Sequence, residues 1–584
     1  MNKPFSITAL AEPLFYRGGL DHKVTRADNG ALVNEDYLAF IRDGSWGKVE
    51  CKPVCPGVQV VTGFGYANST FVESENGWIL VDTGTNLGSG QELLRLKAEF
   101  SDKPIVAIIY SHHHYTAGAA AIAEAYPDVF IYSHPLVEQN LLGFKNAATM
   151  RGGQTQVGQY LPEEGDDARV MYGFNSPVFD TPELNGIGHM SPTHLVADGE
   201  KINIDGVSIT FYHTSSDATD SLIVHYADYD LVTHNAAIMP MLFPLYTLRA
   251  ETYRIPQDLI AGIDCIRKIK PEYMIGCHGF PVVGKEEVYE MATAHRDAYA
   301  FLYQQTVRGI NLGLNPERLI AEIKLPKYLQ EKEFLFPAYI DLEYIIRGIY
   351  RGFVGWWAGD PADLHPPQPE EYHQIILEGF GGADNVIDRA ELAFHQKKYN
   401  LAAKLLSSVL IVDPENSRAR QVKADALRKM AQATRTGIQT RNFLLTNALH
   451  LEGKIDKNLP PANDFLPPAN PDMVLKTPPG TFIKLLENNV DPKPINDLEV
   501  TIKFTFTDFN CSFGLALRRG AAEYIDSDPG DCAVHLELSH SKWADVMTGV
   551  VSLQGAIQSG DACISDRDNN WEKVYRAFEA IWGK

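Results

Sequence analysis

The stretch PIVAIIYSHHHYTAGAA, residues 104–120, carries the tightest constraint in this chain. The run Ile105, Val106, Ala107, Ile108 and Ile109 reads as a strand buried on both faces, and the small residues after Tyr115 read as a helix start. Three histidines, His112, His113 and His114, therefore fall at a strand-to-helix turn, where open α/β sheets collect their ligands. Histidines two apart on an extended turn point to the same side, so His112 and His114 can face one ion while His113 faces away. Further ligands have to come from elsewhere in the chain. Asp217 sits in HTSSDATDSLIVHY ahead of an apolar run, His234 ends YDLVTHN, and His278 lies in MIGCHGFP. Strand ends of this kind can be gathered on one face of a sheet.

A chain of 584 residues is too long for one hydrophobic core, and its character changes along its length. Residues 1–320 alternate short apolar strands with turns and helices, an α/β pattern. Residues 321–455 read as amphipathic helices, and residues 390–433 carry the small-residue spacing and Asp-Pro turn of one two-helix repeat of the tetratricopeptide kind. Residues 456–470, rich in proline and polar residues, read as a linker. Residues 471–584 alternate with period two in LEVTIKFTFTDFN and end in an apolar helix, WEKVYRAFEAIW. They form a small α+β domain whose apolar positions line a core or a lipid-sized cavity.

A net charge of −22 argues against nucleic acid and against an anionic membrane surface as partners. No window approaches the roughly 18 apolar residues of a membrane span, and the proline-broken N-terminus lacks the apolar core of a signal peptide. The seven cysteines sit at irregular positions and form no disulfide framework; Cys51 and Cys55 read as ordinary reduced thiols. A cytoplasmic setting follows.

The order of Asp82, the His-x-His turn, TSSDATDSL, THN and CHGFP resembles the metallo-β-lactamase superfamily, and within it the alkylsulfatases. NSTFVESENGWILVDTGT is similar to that family's second strand pair, and RGGQTQVGQYLP to its segment between metal loops. LYTLRAETYR resembles its substrate-side helix, and IIRGIYRGFVGWWAGDPADLHP the entry to its helical dimerisation domain. The resemblance implies an αββα sandwich, an all-α dimerisation domain and a sterol-carrier-like C-terminal domain. It also implies a homodimer, and an enzyme that hydrolyses the sulfate ester of an alkyl-type substrate. It carries Tyr246, Thr247 and Arg249 onto the positions that face the sulfate group, where a guanidinium offers a fork of donors to an oxyanion.

The metal loop departs from the family pattern His-x-His-x-Asp-His. Thr116 and Ala117 stand where the second metal's aspartate and histidine belong, and His234 stands where a glutamate bridges both metals. A neutral imidazole has one lone pair and cannot bridge as a carboxylate does. The expectation is one divalent ion per chain, Zn²⁺ first with Fe²⁺ or Mn²⁺ as alternatives, held among His112, His114, Asp217 and His234, with His278 left from the second site. Tyr246, Arg249, His113 and Tyr115 are the candidate catalytic groups, and His278 could also supply an acid or base. Two other readings stand beside this one: a mononuclear non-haem iron enzyme with oxidative chemistry on a related substrate, and a non-catalytic lipid- or ligand-binding dimer.

Overall fold

The computed structural model describes residues 23–43, 50–63, 66–143, 147–170, 182–249, 253–459, 471–475 and 479–583. Most of the expected linker, residues 460–470, lies outside the described residues.

Two sheets face each other in the first part of the chain. One has seven strands in chain order, from Glu50–Cys55 to His194–Leu195, and the other six, from Lys201–Ile204 to Val282–Val283. Alternation along the strands explains the sandwich. Val58, Val60, Val72, Ile79, Val81, Ala107 and Ile109 meet Ile209, Phe211, Leu222, Val224 and Ile275 in one apolar layer between the sheets. The other face of the first sheet, with Phe71, Leu80, Ile105 and Ile108, packs on Leu93 and Leu96 of the helix Leu87–Phe100. Ile223, Val232 and Met274 on the outer face of the second sheet pack on Leu259, Ile263 and Ile266 of the helix Pro256–Ile269. The result is the expected αββα order.

Each sheet contains a parallel pair whose ends bring the ligand-type residues to one edge. Val81 pairs with Ile109, so Asp82 and the turn after Tyr110 leave the sheet together. His234 pairs with Gly276, so the turn bearing Cys277 and His278 leaves beside it.

The helical part divides by packing. Leu319, Ile320, Leu325, Phe336, Ile345, Ile346, Ile349 and Ile438 share one apolar cluster with the outer helices of the sandwich. The helices Pro369–Gly379, Ala383–His395, Tyr399–Val412 and Ser417–Ala433 bury a separate core around Ile387, Ala402 and Leu406. In the C-terminal part, Glu499–Phe506 is the centre of a five-stranded sheet and buries Val500, Ile502, Phe504 and Phe506 at alternate positions. The terminal apolar segment is two short helices, Trp571–Ala577 and Glu579–Trp582, broken at Phe578 so that both Phe578 and Trp582 reach the core.

Asp341 joins two of these elements. It precedes the helix Leu342–Val354, and its carboxylate accepts hydrogen bonds from the hydroxyls of Thr436 and Thr440 ahead of and within the helix Ile438–Leu451. Burial raises its pKa from the ordinary 3.8 to about 7, against the opposing pull of the two hydroxyls. A carboxyl raised in the folded state binds a proton that the unfolded chain releases. Its contribution to stability is therefore complete below about pH 3.8 and is lost as pH rises through about 7. Asp341→Asn should remove this dependence, so the variant's stability relative to the parent should climb between pH 5 and pH 8 in urea denaturation; a difference that stays flat would refute the assignment.

Candidate metal centre

His112 continues the strand in extended conformation, with φ −173° and ψ 179°, and residues His113–Tyr115 then form one turn of 3₁₀ helix. This turn, rather than simple alternation, brings the rings of His112 and His114 to 4.6 Å between centroids. Asp217 Oδ2 lies 3.1 Å from His114 Nδ1 and 3.4 Å from His112 Nε2. One ligand atom from each of the three lies within 4.8 Å of the others. Among the described residues no other His, Cys, Asp or Glu joins this group.

His113 turns away to a second aspartate. Its N–H donates to Asp220 Oδ2 at 2.8 Å, its Nδ1 lies 2.9 Å from Asp220 Oδ1, and Asn140 Nδ2 donates to the same oxygen at 2.7 Å. The loop TSSDATDSL thus spends its two aspartates differently, Asp217 on the converging histidines and Asp220 on holding the turn.

Residues that the sequence reading did not select orient the three donors. Ser111 donates its hydroxyl to Asp82 Oδ2 at 2.7 Å, so its oxygen can only accept from His112 Nδ1, 2.9 Å away. That fixes the Nδ1–H tautomer of neutral His112 and leaves an Nε2 lone pair on the Asp217 side. His112 Nε2 is fully buried and has no well-directed hydrogen bond among the described residues. On the other side, Asn235 Nδ2 donates to Asp217 Oδ1 at 2.7 Å, while its own Oδ1 accepts from the Cys277 thiol at 2.8 Å. Asp217 Oδ2 is thereby left for the imidazoles. Asp82 takes the left-handed region, φ 60°, to reach Ser111, and burial raises its pKa to about 6. These partners would be legible only as polar residues flanking the ligand motifs, since their pairing is tertiary.

The electrostatics suit a cation. Burial alone would raise Asp217, but His112 and His114 beside it hold its carboxylate well below the usual range. Burial lowers His112, and Asp217 with Asp82 outweighs that and raises it. Burial and neighbouring His113 lower His114 to about 3. Two imidazole nitrogens and one ionised carboxylate, His112 buried and His114 and Asp217 partly so, form a donor set that fits a divalent ion with coordination positions left open.

The other expected residues lie close by in different states. His234 Nδ1 accepts from the Ala236 N–H at 3.1 Å, and burial lowers its pKa to about 3. A neutral ring used in this way carries its proton on Nε2, so neither nitrogen has a spare lone pair, and His234 stands outside the converging group. His278 Nδ1 lies 2.7 Å from the Tyr66 carbonyl and can only donate to it, which leaves the lone pair on Nε2. The Tyr115 ring stands edge-on to both His112, at 4.9 Å, and His278, at 5.8 Å. Thr116 Oγ1 is committed to His189 Nδ1 at 2.8 Å, and His189 Nε2 lies 3.0 Å from Glu138.

Tyr246, Thr247 and Arg249 lie on a stretch that is bend and turn in residues 245–249, not the helix expected from LYTLRAETYR; residues 250–252 lie outside the described residues. Its neighbours explain the irregular path. A Cβ on Gly152 would lie 2.6 Å from the Arg249 carbonyl oxygen, and a Cβ on Gly348 would lie 2.7 Å from Tyr246 Cβ. The loop is therefore seated between two helices at glycines. Burial pushes the Tyr115 phenol well above its usual range, and the charge of Arg249 reaches it and works the other way.

Comparison with known proteins agrees with this geometry. The profile of the metallo-beta-lactamase superfamily matches residues 62–232, that of alkyl sulfatase dimerisation residues 315–454, and that of the alkyl sulfatase C-terminal region residues 467–581. A linear primary-alkylsulfatase from a Pseudomonas species is 30% identical over 505 residues, covering 84% of this chain and 94% of the relative. An (R)-specific secondary-alkylsulfatase, also from Pseudomonas, is 28% identical over 87% of this chain and 77% of its own. The solved structure of the stereoselective inverting sec-alkylsulfatase Pisa1 from Pseudomonas shares the fold, with a TM-score of 0.80 at 23% identity over 99% of this chain and 94% of that one. None of these comparisons favours oxidative chemistry or a purely ligand-binding role. With its sandwich, its helical and C-terminal parts and its converging His-His-Asp cluster accounted for together, the chain belongs to the alkylsulfatase family of the metallo-β-lactamase superfamily and is a hydrolase of that fold.

Proposed function

We propose that this protein hydrolyses sulfate esters of alkyl-type alcohols, working as a homodimer with one divalent metal ion per chain held by His112, His114 and Asp217. The observation that carries the reading is the convergence of these three donors, one buried and two partly buried, with His112 Nε2 and Asp217 Oδ2 aimed inward by Ser111 and Asn235. Zn²⁺ suits the set first and Fe²⁺ or Mn²⁺ are the alternatives; such an ion supplies Lewis acidity and lowers the pKa of water. Arg249, with Tyr246 and Thr247 on the same loop, binds and orients the sulfate group, where a guanidinium stabilises an oxyanion. Tyr115, kept neutral by burial, holds a proton that can pass to the leaving oxygen. His278 accepts a proton from water at Nε2, a role supported by the commitment of its Nδ1 to the Tyr66 carbonyl. His113 acts by position, bracing the turn through Asp220.

Three observations support a single ion. Thr116 is engaged with His189, Ala117 has no donor, and the Tyr115 ring occupies space beside both His112 and His278. A second dication would need a bridging carboxylate to offset repulsion at about 3.5–4 Å, and His234 cannot provide it. The homodimer is supported by the match to the alkyl sulfatase dimerisation profile and by apolar side chains exposed on the helical part: Phe353, Trp356, Leu364, Tyr372 and Ile375. All seven cysteines are free thiols, which fits a reducing, cytoplasmic setting. No described helix is long and apolar enough to cross a membrane.

Metal analysis tests the centre directly. His114→Ala should empty it, and His278→Ala should leave the count near one ion per chain; two tightly held ions in the parent, or metal loss in the His278 variant, would overturn the assignment. Ser111→Ala frees the His112 tautomer and should weaken metal binding about 10–100-fold, as judged by chelator competition, without unfolding the chain. For assembly, sedimentation at micromolar concentration should give a dimer burying more than about 2,000 Å². Trp356→Asp combined with Ile375→Asp should shift it toward monomer, and an unchanged dimer would place the interface elsewhere.

A further inference from the structure

We propose that Gln439, in the first turn of the helix Ile438–Leu451, is a substrate-binding residue that completes the pocket for the sulfate oxyanion from the helical part of the chain. The inference rests on the preceding reading of residues 246–249 as the anion loop.

Gln439 is 0% exposed, and its Oε1 accepts the Leu248 N–H at 3.3 Å. The amide cannot be turned over, because Nε2 would then oppose another donor. Its Nε2 is thus the amide atom not used on Leu248, and it is buried with no hydrogen-bond partner among the described residues. Thr247, next in the chain to Leu248 and only 1% exposed, has a hydroxyl in the same condition. A buried donor left unmade is destabilising, and two of them at one loop next to Arg249 form a set that a ligand rich in acceptor oxygens would satisfy. A sulfate ester has that character. A site of this kind recognises its ligand best when the donors are fixed beforehand.

The backbone around Gln439 supplies that rigidity. Gly437 has φ +68°, and a Cβ there would fall 2.7 Å from an Asp341 carboxylate oxygen, so only glycine is accommodated. Gly437 N–H donates to the Pro337 carbonyl at 2.9 Å, and Ile438 N–H donates to the Ala338 carbonyl at 2.8 Å. The helix start is thereby tied to residues 337–341, and the amide is presented to the loop from a fixed element. The helical part then serves the reaction as well as assembly.

The test compares the parent with Gln439→Met and Gln439→Glu, using inorganic sulfate as the titrated ligand and an alkyl sulfate as the substrate. Gln439→Met keeps the side-chain length and removes the donor. It should weaken sulfate binding and raise KM by about 10-fold or more, as expected for a lost hydrogen bond to a charged group, with metal content and Tm held. Gln439→Glu keeps an acceptor for the Leu248 N–H and turns a carboxylate oxygen toward the anion, so it should bind sulfate more weakly still. Sulfate affinity at the parent level in Gln439→Met would overturn the proposal. So would loss in Gln439→Met with recovery in Gln439→Glu, because that pattern belongs to a residue that only braces Leu248. A parent that neither binds sulfate nor cleaves an alkyl sulfate would instead sink the reading of the anion loop itself.

Discussion

Asp217 is the interaction on which the site depends. One carboxylate oxygen faces two imidazoles from a turn about 100 residues earlier in the chain, and the other is occupied by Asn235. A buried carboxylate is expensive to ionise unless positive charge or donors surround it, and Asp217 has both. Each supporting contact follows from that need. Ser111 and Asp82 set the tautomer of His112, Asp220 and Asn140 hold His113 and the turn, and Cys277 fixes the Asn235 amide. The parallel strand pairs make the gathering possible, because their ends release these residues at one sheet edge.

The same economy shapes the seam between sandwich and helices. Residues up to Tyr350 share the apolar cluster of the outer sandwich helices, so the loop of residues 246–249 is enclosed by elements from both sides of the sequence. Gly152 and Gly348 let it approach, and Gln439 takes up one of its amide hydrogens. Irregular backbone can be buried in this way only where its polar groups find partners. The irregular path in turn places Arg249 close enough to act on Tyr115. A regular helix over the same residues would bury its own amides and offer the pocket fewer contacts to the neighbouring helices.

Much of this architecture was legible in the sequence because its signals are local. Strand ends followed by turn residues marked His112, His114 and Asp217, which converge, and equally His234 and His278, which stand outside that group; period-two alternation marked the C-terminal sheet, and the run of residues 390–433 marked the packed helices. The path of residues 246–249 and the break at Phe578 were not legible. In both cases distant packing overrides local helical preference: the loop is held by Gly152, Gly348 and Gln439, and the terminal segment bends so that Phe578 and Trp582 fill a core.

Read alone, the sequence says which ligand-type residues exist, that they lie at strand ends, and that Thr116 and Ala117 bring neither an anionic nor an imidazole donor to the turn. The folded chain shows what each aspartate of TSSDATDSL meets, Asp217 the imidazoles and Asp220 His113, since two aspartates three residues apart in a loop differ only in their neighbours. It also decided that His234 spends its acceptor nitrogen on the Ala236 N–H, and that Gln439, 191 residues from Leu248, joins the loop. The reason is the same for each. A lone pair or a donor becomes a ligand only when folding leaves it buried and unspent, and that depends on hydrogen bonds made with residues far away in the chain.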